Sequence, residues 1–269
     1  MSHHIKYKKS FWMDKTDLSQ IRTFEYWNNK DIESQKIWSI PNDDFGLLEK
    51  KFLSKGLFQQ FKALTHDINF SGLTGASLAS GNCILESFII HHTNQKIDKL
   101  YCLEMSEHRI HHYAPKILHH YRINSDQVEL CLGSFYGLRL ENNSLDFILL
   151  SQAFHHADDP NKLLKEINRV MKDEGYIIII GEHYFKFNIV AKRSLKYLLK
   201  FILNYKNFRN NNNLIPKWID LFPPSIRKGD IHYSKYEYIN TFKTEGFSSK
   251  RKIFRKYGNQ GYLLEKEKN

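Results

Sequence analysis

Cysteine is scarce in this chain of 269 residues, which contains only Cys83, Cys102 and Cys131. The three are widely spaced and odd in number, and each lies in or beside an apolar run. This pattern favours buried free thiols over a framework of disulfides. Because such thiols persist in reducing surroundings, we expect a cytoplasmic protein.

Long apolar runs are also missing. The one uncharged window of 18 residues, 68–85, is interrupted by glycine, serine and asparagine, which argues against a membrane-spanning helix. The N-terminal stretch MSHHIKYKKSFW lacks the apolar segment of a signal peptide. Hydrophobic residues nevertheless make up 41% of the chain, which excludes a disordered polypeptide and predicts a folded core.

Acidic residues are few in the last third of the chain. Residues 186–269 contain 19 Lys and Arg against 6 Asp and Glu, whereas residues 1–185 contain 21 against 23. The net charge of +11 therefore comes from the last third. Such a surface attracts phosphates, nucleic acid or an anionic membrane, although a basic surface that serves only solubility is an equal alternative. Nucleic acid is not expected, because no nucleic-acid-binding motif accompanies the charge.

Apolar runs at 100–105, 127–135, 145–151 and 176–182 predict strands. Continuous runs, such as the four isoleucines in the last of these, are typical of a parallel sheet with helices on both faces.

The segments between these runs predict helices at 83–92, 106–121 and 158–175. Pro115 should kink the second of these. Asp159 should cap the third and Gly175 should stop it. The alternation of strands and helices indicates a doubly wound α/β fold.

Four regions follow from these patterns. We expect an N-terminal helical cap at 1–70, a Rossmann-like core at 71–185, a basic helical cap insertion at 186–233, and a last helix with two closing strands at 234–269. The insertion includes a basic amphipathic helix at 187–208. That helix either packs on the sheet or lies on an anionic membrane surface.

The stretch SLASGNC, residues 77–83, has one glycine where a nucleotide-binding loop usually has three. Ala79, Ser80 and Gly81 are small enough for a ligand to approach the backbone. Glu104 ends the next strand, 21 residues after Cys83. A carboxylate at that place accepts hydrogen bonds from the hydroxyls of a ribose.

Residues 133–181 resemble the class I S-adenosylmethionine-dependent methyltransferases, in particular the small-molecule enzymes of the methyltransferase type 11-like group. The family order is a Gly-acid pair, L-P-F-x-D-x-S-F-D, a strand, a His near Asp-Pro, a helix ending R-V-L-K-P-G-G, and a strand. The matching residues here are Leu140, Asn143, Ser144, Leu145, Asp146, His155, His156, Asp159, Pro160, Arg169, Val170, Met171, Lys172 and Gly175. The resemblance implies a seven-stranded, mostly parallel sheet whose last strand is antiparallel. It also implies S-adenosylmethionine as cofactor and S-adenosylhomocysteine as product.

The family's first loop resembles Asp/Glu-x-Gly-x-Gly-x-Gly, and the corresponding positions here are Ser77, Ala79, Gly81 and Cys83. We expect Cys83 to have ordinary helical dihedral angles. Because the cofactor has no phosphate, the need for every glycine relaxes, and we expect the loop to bind it. The alternative is a loop that no longer binds, in a fold that serves as a non-enzymatic binding module or scaffold.

The resemblance extends to further cofactor residues. Glu104 keeps the ribose position, and Ser134 stands where the family often has an Asp for the adenine amine. Met105 and Phe135 are expected to sandwich the adenine ring. The full set of expected cofactor residues is Ser77, Ala79, Ser80, Gly81, Glu104, Met105, Ser134, Phe135 and Ser151.

Methyl transfer to oxygen needs alignment and a base. His155, His183 and His232 are equal candidates, each with a structural role as the alternative, and we expect His156 to be structural.

Tyr26 and Trp27 either fold over the cofactor or pack within the cap. The pair His108 and His112 lacks the partners of a metal site, so no metal is expected. The acceptor should be a small anionic molecule that is sugar-like or phosphorylated, with possible peripheral contact to an anionic membrane.

Overall fold

The computed structural model describes residues 6–14, 16, 20–29, 44–93, 97–183, 195, 233–254 and 259–267. The strands are β1 Lys8–Phe11, β2 Thr74–Leu78, β3 Lys99–Glu104, β4 Val128–Leu132, β5 Leu145–Ser151, β6 Met171–His183, β7 Phe247–Phe254 and β8 Asn259–Lys266. The helices are α1 at 20–29, α2 Phe45–Ser54, α3 Leu57–Leu64, α4 Ile84–Thr93, α5 Ala114–His120, α6 Pro160–Val170 and α7 Lys235–Thr244.

These strands form one sheet in the order β1-β4-β3-β2-β5-β6-β8-β7. Every neighbouring pair is parallel except the two that involve β8, which runs antiparallel to β6 and to β7. The chain runs outward from β2 to β4 and then returns to place β5 on the other side of β2. Ligands of doubly wound sheets bind at such a switch point, outside the carboxyl ends of the strands.

The sheet therefore has eight strands rather than the predicted seven. The extra strand is β1, which pairs in parallel with β4 from Lys8 opposite Glu129 to Phe11 opposite Leu132. It lies within the segment predicted to be only helical. Its side chains are mostly exposed, so the apolar alternation that marks a strand is absent, and backbone pairing holds it at the edge.

The isoleucine run of β6 shows why the central strands are apolar throughout. Ile178 and Ile180 pack in one core layer, with side chains of α2, α3 and α4. Ile177 and Ile179 pack in the other, with side chains of α6 and α7. Alternate residues of a strand point to opposite faces, so a strand covered on both sides needs apolar residues at every position.

Helix α6 begins as predicted but ends earlier. The Asp159 carboxylate accepts from the Lys162 amide at 2.9 Å, and Pro160 occupies the first turn. The helix ends at Val170, and Met171 is already extended. Gly175 does not have the left-handed conformation of a helix stop. It is needed because a Cβ there would lie 2.5 Å from Met171 Cγ.

Pro115 marks a change of helix type. Residues His108–Tyr113 form a π-helical turn, and the α-helix begins at Ala114. Proline has no N–H to donate to the carbonyl of His111, and Lys9 Nζ donates to that oxygen instead, at 3.4 Å. The predicted kink is therefore a change from π to α geometry.

The C-terminal predictions are confirmed. Helix α7 stops before Gly246, whose φ of +79° is left-handed, and β7 and β8 are the antiparallel closing pair. The insertion at 186–233, with its helix at 187–208, lies outside the described residues apart from residues 195 and 233. Among the described helices, none is long and apolar enough to cross a membrane. All three cysteines are buried free thiols, as expected.

Candidate active site

The loop between β2 and α4 has an unusual backbone. Ala79, Gly81 and Cys83 have φ values of +56°, +60° and +60°. The family's glycine positions thus keep the left-handed conformation that glycine favours, although two of them carry side chains. The expectation of helical angles for Cys83 is wrong, because this residue makes the turn into the helix instead of belonging to it. Left-handed geometry costs an L-residue roughly 1–2 kcal/mol.

Hydrogen bonds to the end of β3 hold this loop. The Ser80 amide donates to the Leu103 carbonyl at 2.9 Å, and the Gly81 amide donates to Glu104 Oε2 at 2.8 Å. Glu104 Oε1 accepts from the amides of Met105 and Ser106, each at 2.9 Å. The buried Glu104 carboxylate is thereby fixed at the edge where a ribose is expected.

The space beside the loop fits a ligand that approaches the backbone. A Cβ added to Gly81 would meet no atom within 4 Å. Glu104 still has acceptor capacity on Oε2, because a carboxylate offers about four lone-pair sites and three are used. The residues present therefore fit the adenosine part of the expected cofactor.

The expected adenine residues come from neighbouring strands. Met105 follows β3 and Ser134 and Phe135 follow β4, at the same edge of the sheet. The Ser134 hydroxyl oxygen accepts from the Tyr136 amide at 3.2 Å, and its O–H remains able to donate. Ser151 ends β5 beside β2. The adenine sandwich between Met105 and Phe135 stays a prediction.

Ser77 lies at the end of β2, at the family's acidic position, and has a carboxylate beside it. Its hydroxyl donates to Glu86 Oε1 at 2.5 Å, and both residues are 1% exposed. Glu86 comes from the first turn of α4. Sequence reasoning missed this residue, because only the fold brings α4 back onto the end of β2.

Helix α1 crosses the carboxyl edge of the sheet. The Asn28 side-chain amide donates to the Met105 carbonyl at 3.3 Å, and Asn28 Oδ1 accepts from the Glu107 amide at 3.0 Å. The Trp27 ring lies 5.1 Å from the ring of His156 and 6.0 Å from the Arg109 guanidinium. Trp27 thus lies between the segment after β3 and the histidines after β5. That Tyr26 and Trp27 fold over the cofactor stays a prediction.

Two of the three candidate bases lie together. The ring centres of His155 and His183 are 5.9 Å apart, and His156 lies 4.2 Å from His155. His232 falls outside the described residues. Of the three, His155 has the best-defined environment, since it is 5% exposed and its Nδ1 lies 2.8 Å from Glu182 Oε2.

The Glu182 carboxylate accepts hydrogen bonds from His155 and from three other groups. Its Oε1 accepts from the amides of Ala153 and Phe154, at 2.9 and 3.0 Å. Its Oε2 accepts from the His155 amide and from the Tyr238 hydroxyl, both at 3.2 Å. Burial alone would raise the pKa of this carboxyl group, but the charge and hydrogen bonds of His155 and the two amides outweigh it and lower the pKa. Glu182 is therefore an ionised group that orients His155.

Residues 86–179 match the family model described as a methyltransferase domain. This part of the chain is thus similar to a methyltransferase domain, and the fold is that of S-adenosylmethionine-dependent methyltransferases. An S-adenosylmethionine-dependent methyltransferase from Aquifex aeolicus has a TM-score of 0.54 at 19% identity, over 77% of this chain and 89% of that chain. Magnesium protoporphyrin IX methyltransferase from Synechocystis PCC 6803, with bound S-adenosylhomocysteine, has a TM-score of 0.61 at 12% identity, over 92% and 100%. At these identities the likeness shows the fold alone. A comparison with curated proteins finds no match.

Metal chemistry gains no support from the described part of this chain. Within it, no group of three or more His, Cys, Asp and Glu side chains is placed to hold a metal ion. The rings of His108 and His112 do lie near each other, 5.2 Å apart.

Proposed function

We propose that this protein transfers a methyl group from S-adenosylmethionine to a nucleophilic atom of a small anionic acceptor, with His155 as the base. The observation that carries the proposal is the His155–Glu182 pair at the carboxyl edge of β5 and β6. The pair lies on the opposite side of β2 from the cofactor residues of β3 and β4.

For the cofactor, the chain supplies a backbone cradle and two anchors. The left-handed turn at Ala79, Gly81 and Cys83 opens the backbone, and Glu104 and Ser134 offer hydrogen bonds to the ribose and the adenine. Ser77, Ser80, Met105, Phe135 and Ser151 complete the proposed contact set. The sulfonium group of the bound cofactor supplies an activated methyl group.

For the acceptor, His155 removes a proton. A carboxylate only accepts hydrogen bonds, so Nδ1 of His155 carries the hydrogen that faces Glu182 and Nε2 is the atom that takes the proton. The negative charge of Glu182 stabilises the imidazolium that results. General base catalysis of this kind contributes about 10²–10⁴-fold to a rate. His183 and His232 remain the other proposed acceptor-side residues.

The acceptor class rests on charge. The excess of basic residues beyond position 185 suits a phosphorylated or otherwise acidic molecule. We propose that the cap at 1–70 and the insertion at 186–233 enclose it. Contact with an anionic membrane would bring a lipid-linked acceptor. Co-sedimentation with liposomes, with and without anionic lipid and at two salt concentrations, tests that contact.

The test of the function combines calorimetry with turnover. We expect micromolar binding of S-adenosylmethionine, and its loss in Glu104→Ala. A screen of phosphorylated and unphosphorylated acceptors should then yield a substrate. With that substrate, His155→Gln should lower kcat by about 100-fold or more and leave cofactor affinity within about twofold, while the exposed His119→Gln changes neither. A full kcat in His155→Gln refutes the role of the base, and absence of cofactor binding at millimolar concentration refutes the function.

A further inference from the structure

Glu86 has a buried oxygen that the fold leaves without a partner. Its Oε1 accepts from Ser77, but Oε2 has no hydrogen-bond partner among the described residues and is shielded from solvent. Burying a polar group without a hydrogen bond is costly. Few such groups occur in native proteins, and those that do often serve a function.

The position of this carboxyl group points to the cofactor loop. Glu86 lies three residues after Cys83, where the left-handed loop turns into α4. It contacts Ser77, the residue at the family's acidic position. The chain therefore has no acid at this position of β2, but the carboxyl group of Glu86, on α4, lies beside it.

The groups around Glu86 disfavour its charge. Burial raises its pKa most, the Ser77 hydroxyl and its own backbone amide lower it, and the charge of Glu104 raises it, which gives a pKa of about 7. The thiols of Cys83 and Cys102 also face it. None of these groups carries a positive charge, so a cation that binds nearby would shift the group toward its ionised form.

We propose that Glu86 is a positioning residue that supplies, from α4, the carboxylate that the family carries at position 77, and that it releases its proton to solvent when the cationic cofactor binds. This inference rests on the proposed function. It assigns to Glu86 a role in recognising the positive charge of S-adenosylmethionine.

The test is proton-linked calorimetry. S-adenosylmethionine is titrated at pH 6.5 in buffers of different ionisation enthalpy, and the slope of heat against that enthalpy counts the protons released. With a pKa of about 7, about 0.8 of the Glu86 carboxyl groups are protonated at this pH. We expect the wild type to release about 0.8 proton more than Glu86→Gln, and the difference to vanish at pH 8.5. Affinity should fall by about tenfold in Glu86→Gln at pH 8.5, the effect of losing one charge-assisted contact.

Glu129→Gln is the matched control. Glu129 is also a buried glutamate that accepts from a serine hydroxyl, that of Ser10, but it lies on β4 beside β1 and Lys8. This variant should release as many protons as the wild type. The double variant Ser77→Asp with Glu86→Ala, which returns the acid to β2, should restore the affinity.

The outcomes separate the two proposals. Equal proton release and equal affinity in folded Glu86→Gln and wild type overturn the role of Glu86 while the function stands. If Glu86→Gln does not fold, failure of the folded double variant to recover affinity overturns it as well. No binding by the wild type refutes the proposed function itself.

Discussion

Replacing Glu182 by glutamine tests how much the acid that orients His155 contributes to the fold. Five hydrogen bonds end on this carboxylate, which is fully buried. Suppose that the glutamine oxygen still accepts the hydrogen bonds of the Ala153 and Phe154 amides. The glutamine NH₂ group then faces three donors: the amide and Nδ1 of His155 and the hydroxyl of Tyr238. Leaving buried donors without an acceptor costs about 1–3 kcal/mol per donor, or roughly 4 kcal/mol for two or three of them.

The assay is urea unfolding followed by circular dichroism, with thermal unfolding beside it. We expect Glu182→Gln to lower the free energy of unfolding by about 4 kcal/mol and the melting temperature by roughly 10 °C. Tyr238→Phe removes one donor of the five and should cost only about 1 kcal/mol. A loss below about 1 kcal/mol in Glu182→Gln would show that the carboxylate is not held as the geometry indicates.

The same variant has a defined pH dependence. The folded pKa of Glu182 lies below its usual value, so the stabilisation by its ionised form is complete above the unfolded pKa of about 4.3. It is lost as the pH falls through the lower, folded pKa. The stability difference between wild type and Glu182→Gln should therefore be full at pH 7 and shrink below about pH 4. A difference that grows on acidification would contradict this sign.

The remaining predictions concern the cofactor loop and Glu86. Ala79→Gly should raise the free energy of unfolding by about 0.5–1 kcal/mol, since glycine relieves the left-handed strain. Gly81→Ala should lower it by about 1 kcal/mol. Changes of the opposite sign in urea unfolding would show that the loop is not strained. For Glu86, burial raises the pKa to about 7, so a destabilising effect begins above the unfolded pKa of about 4.3 and is complete above pH 7. Glu86→Gln should be more stable than the wild type by about 3 kcal/mol at pH 8 and not at pH 4, and equal stability at both pH values would exclude a raised pKa.

The apolar runs were sufficient to predict most of the sheet. Four consecutive isoleucines cannot form a strand with one polar face. Strand β6 could therefore be predicted together with its burial on both faces. Strand β1 could not, because an edge strand with exposed lysines is held by backbone hydrogen bonds and by contacts such as Lys8 with Glu129 at 2.9 Å. Such pairing with a distant strand leaves no local pattern.

The candidate site divides in the same way. Residues that follow strand ends, such as Glu104 and His155, could be found because every parallel strand ends at one edge. Glu182 lies near the end of β6, and its contact with His155 depends on the pairing of β5 with β6. Glu86 lies inside a helix with no local signal, and only the approach of α4 to β2 brings it to Ser77.

The pairing of β1 with β4 has a consequence for biosynthesis. Residues 8–11 are synthesised before their partners at 129–132, which follow more than a hundred residues later. Until then this basic segment has no partner strand. An exposed strand edge is a template for association with another chain, and domains fold during synthesis in an order set by translation. The time that β1 waits for β4 is thus an interval in which the nascent chain is open to association with other chains.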